Sequence, residues 1–358
     1  DRVPDHAVLD TTVAWASHHT GPRRAGYVNG ALRGLLSRID KRRVEAVRDA
    51  RKDLPRPDGS AVRFRARTFA DPELEWGLNR AQRWSHPRWL VERWEQSLGR
   101  ERTDAVLAAG LSRPPVVVRA RVDRAVLLER LAAEGITARE GEGPDALVVE
   151  GSEGHLGAVI AEGLAAVQDA TSQVVAPRVQ PQAGESVLDL CAAPGGKALH
   201  LADLMRRGRL VAADVDETRL KRVTALSRTM GDVELVTTIV PPEGPLPFDE
   251  RTFDRILVDA PCSNTGVLRR RVEARWRLRP EDITTLAGIQ GRLLERAWPL
   301  LRPGGRLVYS TCSIEPEENE AIAAAFIAAT PGARLADELR TFPSPDADGG
   351  YLAVFERR

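Results

Sequence analysis

From Ser186 onward the chain alternates short apolar runs, glycine-containing turns and amphipathic segments, a pattern that few folds satisfy. Val187–Leu190 predicts a first strand, followed by a Gly-rich turn and a helix from about Ala198. Leu210–Ala213 predicts a second strand ending at Asp214, with a helix over Glu217–Met230. Val233–Val240, Arg255–Val258 and Arg306–Ser310 predict three more, a helix over Glu281–Leu300 precedes the last of them, and Tyr351–Phe355 reads as a closing strand. Strand–helix alternation builds a doubly wound parallel sheet, an α/β fold that takes ligands at the carboxyl ends of its strands.

Upstream the texture differs. Apolar residues recur at helical spacing in Val3–Trp15, Tyr27–Ile39 and Trp89–Leu107, so residues 1 to about 110 read as helical, with a loop over Lys52–Ser60. Trp15, Trp76, Trp84, Trp89 and Trp94 are expected to pack rather than stack on a ligand. Beyond Pro114-Pro115, Val116–Arg119 predicts a strand, Asp123–Ala133 a helix, and Ile136–Arg139 and Ala146–Val149 two further strands. The resulting division is a helical domain over 1–70, a helical linker plus a small α+β segment over 71–175, and the α/β domain over 176–358.

Composition excludes several classes. Apolar residues make up 42% of the chain, enough for ordinary cores. No apolar run reaches the roughly 20 residues of a membrane helix. Nothing near Asp1 resembles a secretory leader, so cytoplasm and no membrane partner are expected. The three cysteines, Cys191, Cys262 and Cys312, form no CxxC pair; neither a disulfide framework nor a metal site is expected. Net charge is only +1, and four lysines (Lys41, Lys52, Lys197, Lys221) leave arginine as the main cation. A GC-rich genome explains that bias, and phosphate recognition also would; composition alone does not separate them.

Three loops carry the chemistry. Asp189-Leu-Cys191-Ala192-Ala193-Pro194-Gly195-Gly196-Lys197 joins the first strand to the first helix, where glycines let backbone approach a ligand and a helix N-terminus offers free N–H groups. It is neither GxGxxG nor a P-loop, which disfavours dinucleotides and nucleoside triphosphates. Asp214, about 20 residues on, suits the two hydroxyls of a ribose, while Asp216 suits a helix cap. Asp259-Ala-Pro-Cys262-Ser-Asn-Thr-Gly266 follows the fourth strand, and Ser310-Thr-Cys312-Ser313 the fifth, ahead of Pro316-Glu-Glu-Asn-Glu320. Two cysteines therefore end neighbouring strands beside the Gly-rich loop, and the N-termini of following helices are expected to favour a thiolate. Arg269, Arg270, Arg271, Arg275, Arg277 and Arg279 cluster after the Cys262 loop, a candidate path for a phosphate backbone.

DLCAAPGGK, DAPCSNTG and STCSIEPEENE together resemble the signature segments of the Sun/Fmu (RsmB/NOL/NOP) family of RNA cytosine-5 methyltransferases. AGYVNGALRGLL resembles the NusB-like helical domain of its bacterial 16S ribosomal RNA subgroup, and HPRWLVERW, VQDATSQ and DGGYLAVF resemble further family segments. The resemblance implies a Rossmann-like S-adenosylmethionine methyltransferase domain preceded by an all-helical NusB-like domain and the small α+β segment. It implies Cys312 as the nucleophile adding to carbon 6 of cytosine, Cys262 as the group assisting loss of the carbon-5 proton, and Asp259 beside both base and cofactor. Cys191, Ala192, Ala193, Pro194, Gly195, Gly196, Lys197, Asp214 and Asp259 match the S-adenosylmethionine contacts. The implied partner is RNA, with 16S rRNA favoured and transfer RNA open, and the protein is expected to be a monomer.

The chain departs from the family at the third strand, where Val240 stands in place of an Asp near the adenine and Glu243 lies in a proline-rich stretch. Ser112 and Arg121 likewise replace Asn residues common in relatives. A catalytically silent RNA-binding assembly factor is the alternative that Val240 leaves open. Methylation of an exocyclic nitrogen would call for an Asn/Asp-Pro-Pro-aromatic loop, which Asp259-Ala-Pro-Cys262 is not.

Overall fold

The computed structural model describes residues 3–150 and 156–358. The chain divides after Leu111 into two compact units.

The first unit opens with two helices, Asp5–Thr20 and Pro22–Ser37, separated at Gly21-Pro22, where proline occupies the first turn of the second helix. Strands β1 (Ile39–Val44), β2 (Asp53–Pro55) and β3 (Ala61–Phe64) then form an antiparallel sheet in the order β1-β3-β2. Helices Trp76–Arg83, Arg88–Leu98 and Arg100–Leu111 complete the unit. The sheet corrects the helical reading of residues 1–110, and Asp53–Pro55 lies inside the segment read as a loop. Ile39–Val44 carries four consecutive charged residues and no alternation, so its strand character comes from pairing with β3. A buried ion pair helps to fix the sheet: Asp53 accepts from both Nε and Nη2 of Arg63 at 2.7 Å and from the backbone N–H of Arg48 and Asp49. The Arg63 bonds hold the Asp53 carboxyl well below the usual carboxylate range. Trp76 and Trp94 are buried as expected, but Trp15 is 59% exposed and stacks only on His19.

The second unit begins with β4 (Val116–Ala120), helix Arg124–Ala133, β5 (Thr137–Glu140), β6 (Ala146–Glu150), helix Leu156–Ala161 and β7 (Ala165–Val167). This βαββαβ run makes a four-stranded sheet, β5-β6-β4-β7, over its own apolar core. Arg119 and Arg121 both pair with Asp203 of the following α/β layer, at 2.6 and 2.7 Å, which joins the two layers through a shared carboxylate.

The main sheet comprises β8 (Ser186–Asp189), β9 (Arg207–Asp214), β10 (Asp232–Ile239), β11 (Phe253–Asp259), β12 (Leu301–Thr311), β13 (Ala333–Thr341) and β14 (Gly350–Arg357). Its order is β10-β9-β8-β11-β12-β14-β13. The first five strands are parallel and β14 is antiparallel to both neighbours. Both faces are buried, and the strand period of two shows directly: Ile256 and Val258 enter one core while Leu257 enters the other. Strand order reverses between β8 and β11, the switch point where such sheets open a crevice. Strand β13, with its charged and largely exposed Ala-Arg-Leu-Ala-Asp-Glu-Leu-Arg-Thr run, falls outside the strands read from sequence; it is an edge strand held by β14.

Candidate active site

The loop after β8 is shaped by Gly195, whose φ of 111° is closed to most side chains and whose Cβ, if present, would meet Leu226 at 2.7 Å. Helix Gly196–Met205 starts directly behind it. Ala193 N–H donates to the Asp214 carboxylate at 3.1 Å, and Asp216 N–H donates to its other oxygen at 3.0 Å. Asp216 itself caps helix Glu217–Ala225 through the Arg219 N–H, which leaves Asp214 at the strand end facing the cleft. The helix cap at Asp216 matches the reading from sequence.

A cleft of about 930 Å³ runs along these strand ends. It is lined by Cys191, Ala193, Asp214 and Val240 on one side and by Asp259, Cys262, Asn264 and Cys312 on the other. An adjoining pocket of about 250 Å³ is lined by Asp189, Cys191, Ala192, Ala193, Pro194, Gly196, Lys197 and Asp259. Gly195 supplies the turn without lining either space. Asp189, which heads the loop motif in the sequence but is given no role there, is fully buried with neither carboxylate oxygen hydrogen-bonded. Burial, then repulsion by Asp259 and Asp214, pushes its carboxyl up to about 8. Its signal in sequence is an acid at the end of the first strand, directly before the Gly-rich loop. Burial likewise pushes the Cys191 thiol far up, which disfavours a thiolate at this wall of the cleft.

The two remaining cysteines meet. Cys262 Sγ and Cys312 Sγ lie 2.8 Å apart, and Cys312 N–H points at Cys262 Sγ at 3.3 Å. Parallel pairing of β11 with β12 aligns Asp259 with Ser310, so both loops leave the sheet at one level. Gly266 allows the close approach: its N–H donates to Cys312 O, and a Cβ there would lie 2.3 Å from Gly349 O. Cys262 is buried, and its hydrogen bond with Cys312, followed by burial, raises its thiol well above the usual value. Cys312 is only partly buried and also contacts Asn264 Oδ1 at 3.2 Å. Asp259 is held from two sides, by Lys197 Nζ at 2.7 Å and by Ser310 Oγ at 2.7 Å. Burial opposes the Lys197 charge, but Asp259 more than offsets it, and the negative field of Cys312 adds to the rise. A permanent cation therefore stands beside the partly buried sulfur. The expected helix N-termini are not its source, since single 3-10 turns, Thr265–Val267 and Pro316–Glu318, follow the cysteine loops.

The arginine cluster splits in two. Arg269 is buried, with Nε on Asp348 at 2.6 Å and Nη1 on the carbonyls of Ser344 and Pro345. Arg275 is buried and donates to Leu268 O. Neither guanidinium can reach a phosphate, which corrects the expectation for both. Arg270 pairs with Asp348 and Asp169 yet keeps a third of its side chain exposed. Arg271 is exposed and lines the cleft, as do Arg292 and Arg296. Arg121, engaged with Asp203, belongs to the layer contact.

A parallel sheet with its switch point under a Gly-rich loop, a ribose-type acid and a thiol pair defines a Rossmann-like methyltransferase. A solved methyltransferase homologue from Pyrococcus horikoshii has the same fold, with a TM-score of 0.69 and 27% identity over 81% of this chain and all of that one. The chain belongs to the family described as 16S rRNA methyltransferase RsmB/F, which it matches over residues 176–348, with the RsmF/B-like ferredoxin-like domain over 86–153. Ribosomal RNA small subunit methyltransferase B of Vibrio cholerae is 34% identical over 100% of this chain and 78% of its own length. The protein of that name from Klebsiella pneumoniae is 36% identical over 93% and 71%.

Proposed function

We propose that this protein transfers a methyl group from S-adenosylmethionine to carbon 5 of a cytosine in 16S rRNA, through a covalent bond between Cys312 and carbon 6. The observation that carries this reading is the 2.8 Å contact between two thiols of unequal character at the mouth of one cleft.

The residues present suit the donor. Asp189 is a buried carboxyl without a partner, matched to a ligand ammonium; Asp214 suits the ribose hydroxyls; and the Ala193–Lys197 turn suits a carboxylate at a helix start. When bound, S-adenosylmethionine supplies a methyl group on a cationic sulfur. The chain's own task is to make carbon 5 electron-rich. A Cys312 thiolate adds to carbon 6, and the electron pair of the ring double bond moves toward N3, where Lys197 can donate a hydrogen bond while Asp259 accepts from the exocyclic amino group. Carbon 5 is then an enamine carbon that can accept the methyl. As the carbon-5 proton passes to Cys262 Sγ, the thiol proton of Cys262 passes across the sulfur contact to Cys312, which leaves carbon 6 and restores the ring. Cys262 is therefore the residue assigned to this last step.

The base must be unstacked to enter such a cleft, which suits single-stranded or loop RNA. Exposed Arg271 and partly exposed Arg270 are the proposed phosphate contacts; the NusB-like part over 1–70 is the proposed second contact region. Val240 leaves the adenine side of the cleft apolar, and its N–H is already bonded to Asp214 O. Bisulfite sequencing of 16S rRNA from cells with and without the gene tests the reading. One cytosine should lose protection when the gene is deleted and regain it with the wild-type gene but not with Cys312→Ser; an unchanged pattern would refute it.

A further inference from the structure

Two serines follow the two cysteines, Ser263 after Cys262 and Ser313 after Cys312, and both lean on one carboxylate. Glu318 is fully buried, and among the described residues it has no cationic partner. Its Oε1 accepts from the backbone N–H of Ser263 at 2.9 Å and from Gln290 Nε2 at 3.0 Å. Its Oε2 accepts from the hydroxyls of Ser263 and Ser313. Gln290 also donates to Pro261 O at 2.9 Å, so it holds the residue before Cys262 while Glu318 holds the one after. Tyr309 OH donates to Glu318 O, which anchors the carboxylate's own backbone to β12.

We propose that Glu318 is a positioning residue that clamps the Cys262 and Cys312 loops into reacting register. The inference rests on the cytosine-5 reading for its consequence, but the clamp is a property of the free protein. Glu318 Oε1 faces two groups that can only donate, the Ser263 N–H and the Gln290 amide, and its Oε2 takes both serine hydroxyls. Placing an amide there keeps the Oε1 contacts but replaces the acceptor shared by the two serines with a donor, so both hydroxyls must turn and the charge between the loops is lost. Tethering the residues adjacent to both sulfurs with one rigid group is what a fixed 2.8 Å contact needs. A negative charge beside Cys262 also opposes a second negative charge on its sulfur. Without it, the two thiols lose their division into donor and nucleophile.

The test uses the full-length chain. Alkylation by iodoacetamide is followed at each cysteine by peptide mass spectrometry across a pH series, together with adduct formation on transcribed 16S rRNA containing 5-fluorocytidine. Fluorine at carbon 5 cannot leave as a cation, so the Cys312 adduct is trapped after methyl transfer. In wild type, Cys312 should alkylate well ahead of Cys262. In Glu318→Gln that preference should collapse and the Cys262 profile shift to lower pH. The trapped adduct should form about 10²-fold more slowly, the scale of an ångström-sized misplacement, at unchanged KM for S-adenosylmethionine. Wild-type preference and adduct rate in this variant would overturn the proposal. Should Glu318→Gln fail to fold by circular dichroism, Ser313→Ala decides: a loss of preference supports the clamp, and retention refutes it. If wild type forms no adduct with the fluorinated RNA, the cytosine-5 reading fails on its own, and alkylation still settles the clamp.

Discussion

The loops of Cys262 and Cys312 leave adjacent parallel strands, share a sulfur contact and lean on the same carboxylate, yet they present unlike thiols. Cys262 is buried, hydrogen-bonded to its neighbour and held as a thiol. Cys312 is partly buried, opens onto the cleft and feels the Lys197 cation. The difference begins with where each sulfur sits, since Cys312 directly follows the end of its strand whereas Cys262 lies three residues beyond the end of its own. Two cysteines on neighbouring loops can therefore differ in burial and surroundings while their sulfurs touch.

Removing the sulfur from each loop should break that comparison most forcefully. Cys312→Ser is expected to lower turnover by about 10³-fold or more, as the loss of a covalent nucleophile does, with no adduct at any RNA concentration. Cys262→Ala should lower turnover by about 10²- to 10³-fold, the range for a displaced proton-transfer group, while adduct accumulates. Single-turnover kinetics on rRNA distinguishes the two; equal loss with no adduct in either variant would erase the distinction.

The donor pocket should respond next. Asp189→Asn is expected to weaken S-adenosylmethionine by about 10- to 100-fold in calorimetry, the worth of one charge-assisted hydrogen bond. The pH dependence has a definite sign. With its carboxyl raised to about 8, Asp189 is neutral in the free protein at lower pH, so binding an ammonium there must release a proton. Affinity should climb as pH rises toward about 8, and the climb should vanish in Asp189→Asn.

Smaller effects should separate the arginines that follow the Cys262 loop. Arg271→Ala is expected to reduce the salt dependence of RNA binding by about 0.7 in log–log slope, one phosphate contact on a single strand, at unchanged melting temperature. Arg269→Ala should instead lower the melting temperature, because it strands the buried Asp348 carboxylate, which then keeps only its partly exposed partner Arg270. Filter binding across a salt series, paired with thermal melts, reads both.

Much of this was legible in the sequence, for physical reasons that can be named. The central parallel strands β8, β9, β11 and β12 carry apolar runs on both faces, so their positions survive without tertiary information, whereas the charged edge strand β13 does not announce itself. The active-site loops were legible because each sits at the carboxyl end of such a strand. Strand β1 was not: its charged run carries no period, and its partner lies about 20 residues away. Arg269 and Arg275 read as surface cations because a linear sequence shows charge but not the buried Asp348 or the carbonyls that absorb it. Asp189 and Glu318 were in plain view within quoted motifs, yet only coordinates reveal that one has no partner and the other has four.

The central claim is that the Cys312 sulfur, and not that of Cys262, bonds to the base. Nuclease and protease digestion of the wild-type protein after reaction with 16S rRNA containing 5-fluorocytidine, followed by tandem mass spectrometry, locates the cross-link directly. A cytidine-derived mass on Cys312 is the predicted result; one on Cys262, or peptides free of any nucleotide, would contradict it.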